Sequence, residues 1–204
     1  MTHEVPGRPL EPAPGPEVHG LHPEYPIRTG LLLLRPWGAS DLDDFHRLRG
    51  DPEVVRYLYA RPLTRAEAAA RLARARSVID ACGQWMNLAV LLAGTDELLG
   101  DVGVCWISAI HREVEIGYTF LPEHHGHGYA TEAAAAIVDL AFSGLGAHRV
   151  TGRIDARNTA SAAVLGRLGM RHEAHFVENE WVKGEWTDES VHAVLASEWA
   201  SRRP

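Results

Sequence analysis

LPEHHGHGYATEAAAA, residues 121–136, joins two kinds of pattern. In front of it, REVEIGYTFL (112–121) alternates as a strand does. Behind it, TEAAAAIVDLAFSGLG (131–146) is an alanine-rich helical run that stops at glycine. The junction is a strand-to-helix turn holding three histidines and two glycines. The first amides of a helix have no intrahelical acceptor, and the helix dipole places about half a positive charge there. Gly126 and Gly128 let the backbone approach a bulky anion closely. The spacing is not that of a GxxxxGK[ST] loop, because no lysine follows and Thr131 comes too late; it is not GxGxxG either. His124, His125 and His127 are packed too tightly on a glycine loop to converge on one ion, so no metal is expected.

Working outward, LLLLRPW (31–37) reads as a strand ended by Pro36. Ser40 then caps a helix from about 40 to 49. Thr64 and Glu67 form a capping box for a second helix, expected to run to about Cys82 and stop at Gly83. WMNLAVLLA (85–93) and LLGDVGVCWISA (98–109) make a hairpin through GTDE. HRVTGRIDA (148–156) is a strand, and Asn158 caps a short helix, TASAAVLGRLG. HEAHFVENEWV (172–182) and EWTDESVHAVLASEW (185–199) close the chain as a second hairpin about Lys183-Gly184. This order predicts an α/β fold: a mixed, mostly antiparallel central sheet of about seven strands with helices on both faces.

The chain has 204 residues and a formal net charge of -7. Its length suits one substantial core. Its acidity disfavours partners held by charge alone, so neither nucleic acid nor membrane is expected as a partner. Cys82 and Cys105 have no paired spacing, and Cys105 reads as a small buried hydrophobe. No apolar run is long enough to cross a bilayer and no signal-like apolar region opens the chain, so a cytoplasmic location is the expectation. Residues 1–26 hold seven of the twelve prolines and read as a flexible arm, leaving 27–204 as the working domain.

The residues of the junction carry a specific likeness. PEHHGHGYATEA resembles the acyl-CoA-binding motif of the GNAT superfamily of N-acetyltransferases, Q/R-x-x-G-x-G/A, filled by His125, Gly126, His127, Gly128, Tyr129 and Ala130. EIGYTFLPEHHGHGYATEA (115–133) is similar to the RimJ/RimL-like branch. So are RIDARNTASAAVLGRLGM (153–170), VKGEWTDESVHAVLASEW (182–199) and RTGLLLLRPW (28–37), in the same order. The likeness spans about 27–200. His125 departs from the usual Gln, Arg or Trp. Leu165 stands where many relatives carry the tyrosine that protonates the leaving thiolate.

The resemblance implies transfer of an acyl group, most simply acetyl, from acetyl-CoA or another acyl-CoA to a primary amine, by direct attack and without metal. It assigns the diphosphate to amides from Gly126 to Thr131, and the pantetheine arm to a splayed strand edge at Tyr118–Leu121 and to Asn158. A main-chain amide near Thr119, Phe120 or Leu121 would face the oxyanion. The catalytic candidates are Glu115 as base, with Glu113 on the same face, His124 as an alternative base, and Ser161 in place of the missing tyrosine acid. The acceptor is a protein N-terminal amine, as for ribosomal-protein enzymes, or a small amine. A non-catalytic acyl-CoA sensor or assembly protein is the alternative, and a homodimer is possible. Trp181 or Trp186 is expected to line the acceptor groove. Arg65, Arg71, Arg74 and Arg76 read most simply as a solvated helix face, with acidic-substrate binding as the sharper option.

Overall fold

Alternating apolar residues force a sheet with two covered faces. The computed structural model describes residues 11–15 and 20–202. The strands are β1 (Ile27–Arg28), β2 (Leu32–Pro36), β3 (Trp85–Leu92), β4 (Leu98–Ser108), β5 (Glu113–Phe120), β6 (Arg149–Asp155), β7 (Arg171–Val182) and β8 (Glu185–Leu195). They form one eight-stranded sheet in the order β1-β2-β3-β4-β5-β6-β8-β7. The helices are α1 (Leu42–Gly50), α2 (Arg65–Leu72), α3 (Tyr129–Ser143), α4 (Thr159–Arg167) and α5 (Ala196–Ala200).

Along β2 and β3 the side chains divide as a strand's period of two requires. Leu32, Leu34, Leu88 and Val90 face the large core beneath α3 and α4. Leu33, Ala89 and Leu91 face the other way. There Trp37 links them to the smaller cluster of Phe45, Ala68 and Leu72 under α1 and α2. Trp37 and Phe45 meet edge to face, ring centroids 5.0 Å apart.

All neighbouring strands are antiparallel except β5 and β6. That parallel pair holds for three residues only, Glu113↔Arg149 to Glu115↔Thr151. Beyond it the strands part: β5 stays on β4 up to Gly100↔Phe120, and β6 stays on β8 down to Asp155↔Glu189. A wedge opens between two firmly paired half-sheets.

Several local expectations are corrected. The sheet has eight strands, because a two-residue β1 pairs with β2 and is too short to leave a periodic trace. The first helix is capped at Asp41, not Ser40, which lies in a 3₁₀ turn (Ala39–Asp41). The Asp41 carboxylate instead takes the Gly38 amide at 2.7 Å and the Arg35 guanidinium. The second helix ends at Leu72, ten residues early. Its alanines and arginines favour helix, but Ile79 is fully buried and pairs with Leu21, and the Arg76 carbonyl accepts from the Asn87 amide at 3.0 Å. Tertiary bonds draw this segment off the helix axis. Thr64 and Glu67 do form the capping box. The last four residues of the closing strand pattern, Ala196 to Trp199, turn into α5.

Within the proline-rich segment, Leu21 is buried and exchanges both backbone hydrogen bonds with Ile79, at 2.8 and 3.0 Å. Residues 1–10 and 16–19 lie outside the described residues.

Candidate active site

The wedge runs from the cradle at the start of α3 to a cavity of about 740 Å³ on the α1–α2 side of the sheet. At the cradle, Gly126 and Gly128 have φ of 83° and 85°, the left-handed region glycine favours. A Cβ at either would point into open space. The first intrahelical acceptor is the Gly128 carbonyl, which takes the Glu132 amide at 3.0 Å. Six successive amides, Gly126 to Thr131, thus have no acceptor among the described residues. Such a row of open donors at a helix start suits a diphosphate. The Arg167 Nε donates to the Thr131 hydroxyl at 3.0 Å, bringing a guanidinium from α4 to the cradle. Sequence reasoning missed Arg167, since only the packing of α4 beside α3 reveals it.

The histidines serve the loop itself. The His125 ring is bonded to the Phe120 carbonyl at 3.1 Å. His127 stacks on Tyr129, centroids 5.5 Å apart. His124 turns toward Glu97, 3.7 Å away, and does not line the cavity. No group of three metal-ligating side chains occurs among the described residues.

The strand edge refines the expected amides. Leu121 donates its amide to Leu99 at 3.0 Å, so it is already taken by β4. Antiparallel pairs alternate, and the β4–β5 register is regular here. The Thr119 amide therefore also faces β4, while the amides of Tyr118 and Phe120 face the wedge. Of Thr119, Phe120 and Leu121, only Phe120 keeps a free amide on that side, and Tyr118 joins it. Thr119 contributes its hydroxyl instead, accepting from Arg49 at 2.9 Å.

Glu115 lines the cavity and has no hydrogen-bond or ion-pair partner among the described residues. Burial pushes its carboxyl above the usual range; Arg153 pulls it back, and Glu189 and Glu113 push it further up. Glu113 differs: it stands 3.6 Å from the Arg149 guanidinium. A free carboxyl facing a cavity, made more basic by burial, is suited to accept a proton from a bound amine.

Asn158 and Ser161 meet on the far side. The Asn158 Oδ1 accepts the Ser161 amide at 3.0 Å, capping α4 and leaving its amide nitrogen for other partners. The Ser161 hydroxyl donates to the Tyr118 phenol oxygen at 2.8 Å, and the phenol donates to the Ser161 carbonyl at 3.0 Å. Burial drives Tyr118 up to about 12, with Ser161 and Arg167 opposing. Leu165, at the usual tyrosine position, is fully buried. The phenol in this region thus comes from β5 rather than α4. That substitution was invisible to spacing, because it depends on which face of β5 meets α4.

The acceptor side is roofed by residues 51–63. Lys183 in the β7–β8 turn donates to the Val55 and Arg56 carbonyls, and Tyr59 donates to Glu189 at 3.0 Å. Glu189 is buried and is also held by Arg153. Trp181 and Trp186 pack edge to face on the hairpin and do not line the cavity; Trp85 and Trp37 do. Cys105 is buried, and desolvation raises its thiol to about 11, consistent with a packing role.

Comparison with known proteins identifies the family. Residues 32–171 match the acetyltransferase (GNAT) domain family, so the chain belongs to it. It is an acetyl-CoA-dependent N-acetyltransferase. It is 28% identical over 174 residues to the uncharacterised N-acetyltransferase p20 of Bacillus licheniformis, covering 85% of this chain and 98% of that one. It is 24% identical over 171 residues to a spermidine N(1)-acetyltransferase of Vibrio cholerae, covering 84% and 96%. The crystal structure of a probable GNAT-family acetyltransferase from Chromobacterium violaceum superposes with a TM-score of 0.78 at 28% identity, over 98% of this chain and all of that one.

Proposed function

We propose that the protein acetylates a primary amine by direct attack on the acetyl-CoA thioester, with Glu115 as base and a Tyr118–Ser161 pair as acid. The diphosphate sits on the amides of Gly126 to Thr131, beside Arg167. The pantetheine arm pairs with the free edge of β5 at Tyr118 and Phe120 and meets the Asn158 amide. The Phe120 or Tyr118 amide faces the carbonyl oxygen as charge builds on it.

The protons balance as follows. Glu115 takes one from the incoming ammonium, and the freed lone pair forms the C–N bond. The C–S bond breaks as the tetrahedral centre collapses. Tyr118 delivers a proton to the thiolate, and the second amine proton returns to Tyr118 through the Ser161 hydroxyl, which takes it up as it hands its own proton to the phenol oxygen, so the pair ends as it began. The products are an amide, free CoA and one proton left on Glu115 for solvent.

The single observation that carries this reading is the unpaired Glu115 carboxyl at the floor of a cavity that opens onto the wedge. Placement argues against His124 as base, since its ring faces Glu97. A small amine fits an acceptor side walled by Val55, Tyr57 to Arg61 and Leu63 better than a protein N-terminus does. The test is thiol release from acetyl-CoA over a panel of amines and short peptides. Turnover that Glu115→Gln abolishes supports the proposal. CoA binding without turnover on every acceptor would point to the sensor reading instead.

A further inference from the structure

The charges around the acceptor cavity are uneven. Arg49, Arg61, Arg71, Arg74, Arg76 and Arg153 line it, against three carboxyl groups, Asp101, Glu115 and Asp155. Most of these charges are already spent. Arg49 pairs with the buried Asp101, Arg153 with Glu189, and Arg61 with Glu67. Asp155 is held by Arg157 at 2.7 Å, and Arg76 stands 3.9 Å from Asp80. Arg65, the remaining arginine of α2 outside the cavity, pairs with Asp43. Two guanidiniums are left over. Arg71, in the last turn of α2, makes no hydrogen bond and no close ion pair among the described residues; it feels the Asp101 carboxylate only at longer range, and Arg49 already holds that carboxylate. The guanidinium of Arg74, just past it, makes one bond among the described residues, from Nε to the Ala70 carbonyl at 3.1 Å. Among the described residues, the one carboxyl facing the same space without a hydrogen-bond or ion-pair partner is Glu115.

From this we infer that the acceptor is an acidic amine, whose carboxylate or phosphate is held by Arg71 and Arg74 while its amine faces Glu115. This deepens the function proposed above and rests on it. An unpaired guanidinium is a planar donor fork matched to an oxyanion. Two of them at one mouth raise the local concentration of anions and repel cations. A polyamine, by contrast, would meet both cations, with Asp101 and Asp155 already neutralised. The cavity therefore selects against the substrate named for the Vibrio cholerae relative.

The experiment compares kcat/KM with acetyl-CoA for ω-amino carboxylates of increasing chain length, aminoalkyl phosphates, the matching ω-amino amides, and spermidine. At least one acidic amine is expected to exceed its amide and spermidine by about tenfold or more, with the advantage shrinking as salt rises. In Arg71→Gln/Arg74→Gln the ratio of acid to amide falls toward one, while calorimetric CoA affinity is kept. In Arg71→Glu the preference turns toward diamines. Spermidine or amides outrunning every acidic amine overturns the inference and leaves the acetyltransfer reading standing. So does a double variant that keeps the wild-type ratio, or one that loses CoA affinity, which would place the arginines on the donor. Absence of turnover on all acceptors overturns both.

Discussion

Tyr118 and Ser161 grip each other twice: the serine hydroxyl donates to the phenol oxygen at 2.8 Å, and the phenol donates to the serine carbonyl at 3.0 Å. The phenol is thereby fixed at the point where β5 leaves β6. Tyr118→Phe is expected to lower kcat about 10²-fold with CoA affinity retained, because a positioned acid contributes on that scale. Ser161→Ala, which leaves the phenol in place, should cost less. Burial holds Tyr118 near 12, so the phenol stays protonated through the working range. A pH profile of kcat should show no alkaline fall assignable to Tyr118 below about pH 11.

Glu115 makes a second prediction with a definite sign. A base must be ionised, and this carboxyl is raised by burial. Wild-type kcat/KM should therefore fall as pH drops through a value above the ordinary carboxylate range, and Glu115→Gln should lose that dependence along with most activity. Stability moves the opposite way. A carboxyl raised in the folded state is fully stabilising below the unfolded pKa, and that contribution is lost as pH rises through the folded one. Glu115→Gln should then melt slightly above wild type at pH 8. A lower melting temperature would argue that the side chain is structural.

The cradle separates strain from charge. Gly128 has φ of 85° with open space beyond it. Gly128→Ala should cost roughly 1–2 kcal/mol, all of it from the left-handed backbone. Gly128→Asp tolerates that conformation better and can cap α3, so it should unfold later than the alanine variant. Its carboxylate faces the diphosphate, and titration calorimetry should show CoA affinity reduced at least tenfold. Unchanged affinity would mean the donor binds elsewhere.

Arg49 and Asp101 form a pair whose side chains are only 11% and 3% exposed. Arg49→Ala leaves the carboxylate buried without its partner, and denaturant unfolding should register a loss of about 3–5 kcal/mol. The Asp101→Asn/Arg49→Met double variant should recover part of it, since no unpaired charge remains.

Leu21 is only 4% exposed. Leu21→Ala should cost about 2–4 kcal/mol by thermal or denaturant unfolding, as for other buried leucines. A negligible loss would show that burial of the Leu21 side chain adds nothing to the domain.

Features encoded by neighbours in the chain were legible in the sequence. The two hairpins, the Thr64–Glu67 box, the Asn158 cap and the glycine turn before α3 each rest on residues a few positions apart. What escaped depends on contacts distant in sequence. The Ala/Arg run after Leu72 has helical propensity, yet its backbone bonds to Leu21 and Asn87 overrule it. Leu165 announced that a tyrosine was missing, but not that Tyr118 would arrive from another element. The arginines of α2 looked alike; only their pairings separate Arg65, tied to Asp43, from Arg71, which makes no close ion pair among the described residues. The tryptophans of the last hairpin looked like a groove wall, while the groove lies across the sheet from them, against Trp85.

The parting of β5 from β6 has a kinetic corollary. Each rim of the notch is laced to a different neighbour, so neither waits for the other, and a guest molecule can complete the ladder without any internal bond being melted first. Capture of the thioester should accordingly be a one-step event, its rate governed by diffusion and ionic strength. A slow, saturating phase in stopped-flow traces would not be expected, because the chain comes with its vacancy already cut.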